Sequence, residues 1–141
     1  MIHRLREIDH LGSRLGAIAC IVLAGYLALA ARDIDRVRDG AQLVQRGEFT
    51  AAAKRVDGVA SVPASREAAI VYAFAAAGAG DRAAAERAFA RAVDASPNDW
   101  ALRRSRAVNL LLLGDRAGAR RQLARALALN PLMPVPPEFV R

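Results

Sequence analysis

Two hydrophobic patterns divide this chain. From Leu15 to Ala31, seventeen consecutive residues carry no charge. Their apolar side chains surround the whole circumference of a helix instead of forming a stripe. Arg14 and Arg32 bound the run. At about 1.5 Å per residue it is roughly 25 Å long, and Leu11–Ser13 with snorkelling arginines bring it close to the ~30 Å of a hydrocarbon core. The pattern predicts one membrane-spanning helix. Beyond Arg32 the pattern becomes amphipathic. Ala119, Leu123, Ala126 and Leu127 fall on one helical face, and Ala85, Phe89, Ala92 and Val93 repeat that register.

Glycine and proline punctuate the amphipathic part at a fixed interval. Gly80-Asp81-Arg82 and Gly114-Asp115-Arg116 are 34 residues apart, as are Pro97 and Pro131. Gly47 lies 33 residues before Gly80, and Pro63 lies 34 before Pro97, so a degenerate unit precedes two clear ones. A period of that length, with Gly at the turn and Pro after the next helix, marks stacked helical hairpins. Three units give helices near Arg32–Gln45, Thr50–Val59, Ser65–Ala77, Arg82–Ala95, Asp99–Leu113 and Arg116–Leu129. Gly47, Gly78, Gly80 and Gly114 are expected at the tight turns. The fold class is therefore all-α: a short α-solenoid of about three hairpins preceded by one transmembrane helix. The chain divides into a basic tail (1–14), the span (15–31), the repeats (32–131) and a Pro-rich tail (132–141). No Pro separates the span from the first repeat helix, so either one continuous helix or a break near Ala31–Asp33 is expected. The last segment, with three prolines, is expected to fold back and place Leu132, Met133 and Phe139 on the final hairpin, or else to serve a partner.

Five residues after each turn Gly stands Ala (Ala85, Ala119). A large apolar residue follows four later (Phe89, Leu123), Ala three after that (Ala92, Ala126), and Pro five further on (Pro97, Pro131). In these residues the chain resembles the tetratricopeptide repeat family over about 33–131. In the first unit Gly40 and Ala52 fit that pattern, whereas Val56 and Val59 depart from it. The resemblance implies a concave surface, formed by the first helix of each hairpin, that holds a peptide or a partner helix. It would include Ile34, Val37 and Ala41, then Ile70, Phe74 and Ala77, then Arg104, Val108 and Leu111. The Lys and Asn set by which some relatives clamp an acidic C-terminal carboxylate is missing, so an apolar partner segment is expected.

From just before the span and through it, Gly12, Gly16, Cys20, Ala24 and Ala28 recur every fourth residue, a ridge of small side chains on which another membrane helix can pack closely. Arg4, Arg6 and Arg14 precede the span, and Arg32, Arg36 and Arg38 follow it. The charge count therefore leaves orientation open. A short basic tail before a first apolar segment favours a cytoplasmic N-terminus with exported repeats at a bacterial inner membrane. Ala28-Leu29-Ala30 also offers a small-x-small cleavage site, which would release a periplasmic module. Against cleavage, the segment before the apolar run carries Glu7 and Asp9.

The net charge of +7 is uneven. Arg32–Asp99 has ten bases and ten acids, whereas Trp100–Arg141 has eight bases and two acids. Arg103, Arg104, Arg106, Arg116, Arg120 and Arg121 form a basic patch able to attract anionic lipid headgroups or glycans. Nucleic acid is not expected, because no binding motif accompanies the charge. The single cysteine, Cys20, excludes an internal disulfide. His3 and His10 have no carboxylate partner in sequence, no nucleophile has a neighbouring base, and no phosphate loop or metal-ligand spacing occurs. No catalytic activity and no cofactor are expected. The sequence reads as a membrane-anchored scaffold for a protein partner, itself an integral-membrane protein. An alternative is an accessory subunit packed through its span on a larger enzyme of envelope polysaccharide synthesis or respiration.

Overall fold

The computed structural model describes residues 2–140, and side chains from Ile18 to Val140. All regular structure there is helical: α1 Ile2–Gln45, α2 Phe49–Val56, α3 Val62–Gly78, α4 Arg82–Ala95, α5 Trp100–Leu112, α6 Arg116–Leu129, and a 3₁₀ turn at Pro137–Phe139. The all-α expectation holds. The break near Ala31–Asp33 does not occur, since α1 runs for 44 residues from the apolar segment into the amphipathic one. Among the described residues no helix is long and apolar enough to cross a membrane. Of the expected span, side chains are described from Ile18 to Ala31, and beyond it Arg32, Asp33 and Asp35 interrupt the apolar run. The side chains of Leu15–Ala17, and Gly12 and Gly16 of the small-residue ridge, lie outside the described residues.

The repeated landmarks have repeated local causes. Gly80 and Gly114 take φ +85° and +89°, a conformation that other residues adopt only with strain. The Asp after each glycine caps the next helix: Asp81 Oδ1 accepts from Ala84 N–H at 2.9 Å and Asp115 Oδ1 from Gly118 N–H at 2.8 Å. Asp99 caps α5 in the same manner, accepting from Ala101 and Leu102 N–H. Pro63 falls inside the first turn of α3, where its missing N–H costs nothing, so that helix begins at Val62, ahead of the expected Ser65. The second helix of the first unit departs from the expected pattern. Glu48 makes no side-chain cap bond, and α2 stops at Val56, ahead of the expected Val59, with Gly58 at φ +70°.

Helices pack in chain order. Contacts join α1 to α2, α3 to α4 and α5 to α6, while α2 and α3, α1 and α3, and α4 and α5 link successive pairs. Fourteen of the 22 buried apolar residues among those described are alanines, which lets backbones approach closely and leaves few large side chains to fill the core. Phe89 is the largest of them. It is 2 % exposed, packs among Ala73, Ala76, Ala84, Ala85 and Ala88, and meets the Phe74 ring edge to face, with centroids 5.3 Å apart. The Pro-rich tail folds back. Met133 inserts against Ala107, Leu123 and Ala126, and Trp100, Leu127 and Phe139 pack around this cluster. Leu132, expected to join them, is 94 % exposed. Pro136 is fully buried instead.

Candidate interaction site

The tail shapes a cleft on the body. Phe74 and Ala77 of α3, Arg104 and Val108 of α5, and Pro136 and Glu138 of the tail border an open volume of ≈ 330 Å³. Arg104 Nε donates to the Pro134 carbonyl at 3.1 Å, tying the tail to α5. Asn109, 2 % exposed, also borders the cleft. Its Nδ2 donates to the Arg82 carbonyl at 3.1 Å, while its Oδ1 is buried without a hydrogen-bond partner.

The expected groove is therefore brought together only in part. Phe74, Ala77, Arg104 and Val108 share the cleft, whereas Ile34, Val37, Ala41, Ile70 and Leu111 do not border it. Val37 and Ala41 pack on Val56, Ala68 and Val71, and Ile70 packs on Ala92, Val93 and Leu102, so these side chains hold helices together. Ile34 stays exposed. Asn109 and the tail residues escaped the sequence reading. Asn109 sits inside a helix with no repeat counterpart, and the tail lies outside the period.

A second cleft, ≈ 610 Å³, opens where α2 ends early. This helix has 8 residues against 14 in α4 and in α6, a difference of about 9 Å of helix. Buried Ala68 and half-buried Ala69 and Tyr72 of α3 line it, with Arg66, Arg87 and Arg91 at the edges.

The expected basic patch divides into two sets. Arg103 donates to the Pro97 carbonyl at 2.9 and 2.7 Å and to Gln122, Arg104 holds the tail, and Arg106 pairs with Glu86 at 2.7 Å. These three are structural ties. Arg116, Arg120 and Arg121 are exposed on α6. They are free to meet anionic groups. Along the described part of the small-residue ridge, Cys20, Ala24 and Ala28 are exposed, as are Ile18, Ile21, Val22, Leu23, Leu27 and Leu29. Among the described side chains of α1, the first buried one is Ala30.

Just beyond Ala30, α1 is fastened to the linker after α2. The Asp33 carboxylate accepts from Ser61 N–H at 3.0 Å. The neighbouring Ser61 hydroxyl first and then the Ser61 N–H hold its pKa below the ordinary carboxylate value; burial opposes them, and the Ala60 N–H and Arg36 add smaller lowering effects. Arg36 donates to the carbonyls of Arg55 and Asp57, and Arg55 to the Asp39 carboxylate. Among the described residues no cluster of three or more His, Cys, Asp or Glu side chains is placed to hold a metal. No protein-family model matches this chain, and no curated protein matches it.

Proposed function

We propose that this protein is a non-catalytic, membrane-anchored scaffold whose hairpins, stacked as a short tetratricopeptide-like α-solenoid, hold an apolar segment of a protein partner. The observation that carries the reading is α1. Its apolar side chains from Ile18 to Leu29 are exposed, and the same helix continues without a break into the body. In water that surface is costly, and inserted in a bilayer together with Leu15–Ala17 it is satisfied. Ala30 is buried in the body, so cleavage after it would remove a packed residue. That favours the anchored chain over a released periplasmic module.

The accessory-subunit reading draws on the exposed Cys20, Ala24 and Ala28, which leave one face of α1 free to meet another membrane helix. Crosslinking in the native membrane, mild-detergent capture and mass spectrometry of partners and of the N-terminus test both readings. Recovery in the membrane fraction with the N-terminal segment intact and one constant partner, lost on Phe74→Asp or Val108→Asp, is the scaffold result. Loss on Gly16→Leu with Ala24→Leu instead is the accessory-subunit result. A soluble chain beginning near Ala31 without a constant partner overturns both.

A further inference from the structure

We infer that the C-terminal tail is an internal ligand of the cleft between α3 and α5, occupying the place where an extended, proline-containing segment of the partner protein binds. The inference rests on the groove reading above and gives its partner a chemical class. The contacts are of the kind that recognise any extended peptide. Arg104 holds a main-chain carbonyl, that of Pro134, so the bond does not depend on the side chain at that position. Pro136 is fully buried, a seat shaped for a pyrrolidine ring. Prolines keep such a segment extended before it binds, which lowers the ordering cost on docking.

The tail also fills its place incompletely. Pro136, Pro137 and Glu138 form one wall of the cleft, α3 and α5 the other, and ≈ 330 Å³ remains open between them. Asn109 at its border keeps Oδ1 buried and without a donor. A partner peptide following the tail's path has space there, and a backbone N–H or side-chain amide to offer that oxygen. Because the tail follows α6 directly through Asn130 and Pro131, its effective concentration at the cleft is of order millimolar. A partner must displace it, and its apparent affinity falls by the fraction of molecules in which the cleft is free.

The test uses the synthetic peptide LMPVPPEFVR, the tail itself, with a fluorophore, against the full-length chain and a chain ending at Pro131, both in mild detergent. Trp100, the only tryptophan, packs on the same cluster as Met133 and Phe139, so its emission reports tail docking. Removing the tail is expected to red-shift Trp100, and saturating peptide to reverse the shift. The truncated chain is expected to bind the peptide at least about tenfold more tightly than the full-length chain. Arg104→Ala in the truncated chain is expected to weaken that binding by about tenfold. Should truncation prevent folding, Pro136→Gly in the full-length chain is the substitute, with the same red shift and stronger peptide binding expected.

A truncated chain with intact helical circular dichroism that binds no peptide overturns the inference, as does a Pro136→Gly chain whose emission and peptide binding equal the wild type. Light scattering that finds a dimer formed by tail exchange overturns the assignment to a partner protein. If Phe74→Asp abolishes partner capture while the peptide binds nowhere, the groove reading stands and the internal-ligand inference falls. If the peptide binds as expected while partner capture is indifferent to Phe74→Asp and Val108→Asp, the scaffold reading falls and the partner claim with it.

Discussion

Phe89→Ala is the perturbation that best measures how this core is built. The ring is 2 % exposed, and the side chains around it, on Ala73, Ala76, Ala84, Ala85 and Ala88, are methyl groups fixed to helix backbone. A methyl group has no torsion by which to enter a cavity, so the space left by the ring stays open unless whole helices shift or the rings of Phe74 and Tyr72 turn inward. Phe→Ala substitutions in cores cost about 3–5 kcal/mol, and a site that cannot collapse belongs in the upper half of that range. About 0.5–1.5 kcal/mol of it is the edge-to-face contact with Phe74. Against a total stability of about 5–15 kcal/mol for a domain, that loss is large. Phe74→Ala is the control: this ring is 38 % exposed, so its removal is expected to cost about 1–2 kcal/mol. Urea titration of the full-length chain in mild detergent, followed by far-ultraviolet circular dichroism, gives both values, with an unchanged slope confirming that stability alone moved. A loss below about 1.5 kcal/mol for Phe89→Ala, or one equal to that of Phe74→Ala, refutes the reasoning, because it requires an alanine-lined core that closes around a void.

Gly40→Ala is expected to destabilise by about 1–3 kcal/mol, since the added methyl would lie 2.6 Å from Val56 Cγ1 and 3.2 Å from Val71 Cγ1; the same titration reads it. Arg106→Ala leaves Glu86, about one fifth exposed and with Oε2 buried and unpaired, without its cation, at a cost of about 2–3 kcal/mol. Arg106→Ala combined with Glu86→Ala is expected to cost less than the sum of the single changes, and strict additivity in that cycle would show that the pair is not coupled. Asp33 has a lowered folded-state pKa, so its contribution is complete above the ordinary carboxylate value of about 3.9 and disappears as pH falls through the lower folded value. Asp33→Asn should therefore reduce thermal stability at neutral pH and flatten the acid side of the melting profile, whereas an acid side parallel to wild type would remove Asp33 from that role.

The features legible in the sequence are those with a one-residue cause. Gly80 and Gly114 adopt a backbone conformation that Gly adopts most readily, and Asp81 and Asp115 make the cap bond that their type at that offset makes, so α4 and α6 begin where the spacing places them. The end of α2 was less legible. Val56 to Val59 continues an apolar helical pattern, yet Gly58 at positive φ and the hold of α1 on the linker after Asp57 turn the chain out of the helix. Five of the nine anticipated groove residues lie outside the cleft, and for Val37, Ala41 and Ile70 the reason is related. Helical periodicity identifies an apolar face, and it does not say whether a neighbouring helix has already covered it, as α2 and α3 cover Val37 and Ala41. The tail's seat required three-dimensional information, because Arg104 and Pro134 are 30 residues apart and belong to no common pattern.

The proposed anchor and the proposed binding cleft constrain one another through α1. Its apolar stretch ends at Ala31, and within the next eight residues Asp33, Arg36 and Asp39 are bonded to Ser61, to the carbonyls of Arg55 and Asp57, and to Arg55. A helix that enters the body this way has no joint at the point of entry, so an anchored α1 fixes the direction in which the helix stack leaves the bilayer. The cleft lies between α3, α5 and the tail, and α3, one of its walls, packs directly on α1. If α1 is the anchor, a partner in the cleft is positioned relative to the bilayer by packed helices and not by a linker. Inserting a flexible glycine-serine segment between Ala31 and Arg32 would leave both the apolar helix and the cleft chemically intact. Under this reading the insertion preserves membrane association and peptide binding and removes productive positioning, which membrane crosslinking to the partner reads directly. Undiminished crosslinking would mean that α1 serves as a tether and that its continuity has no part in positioning.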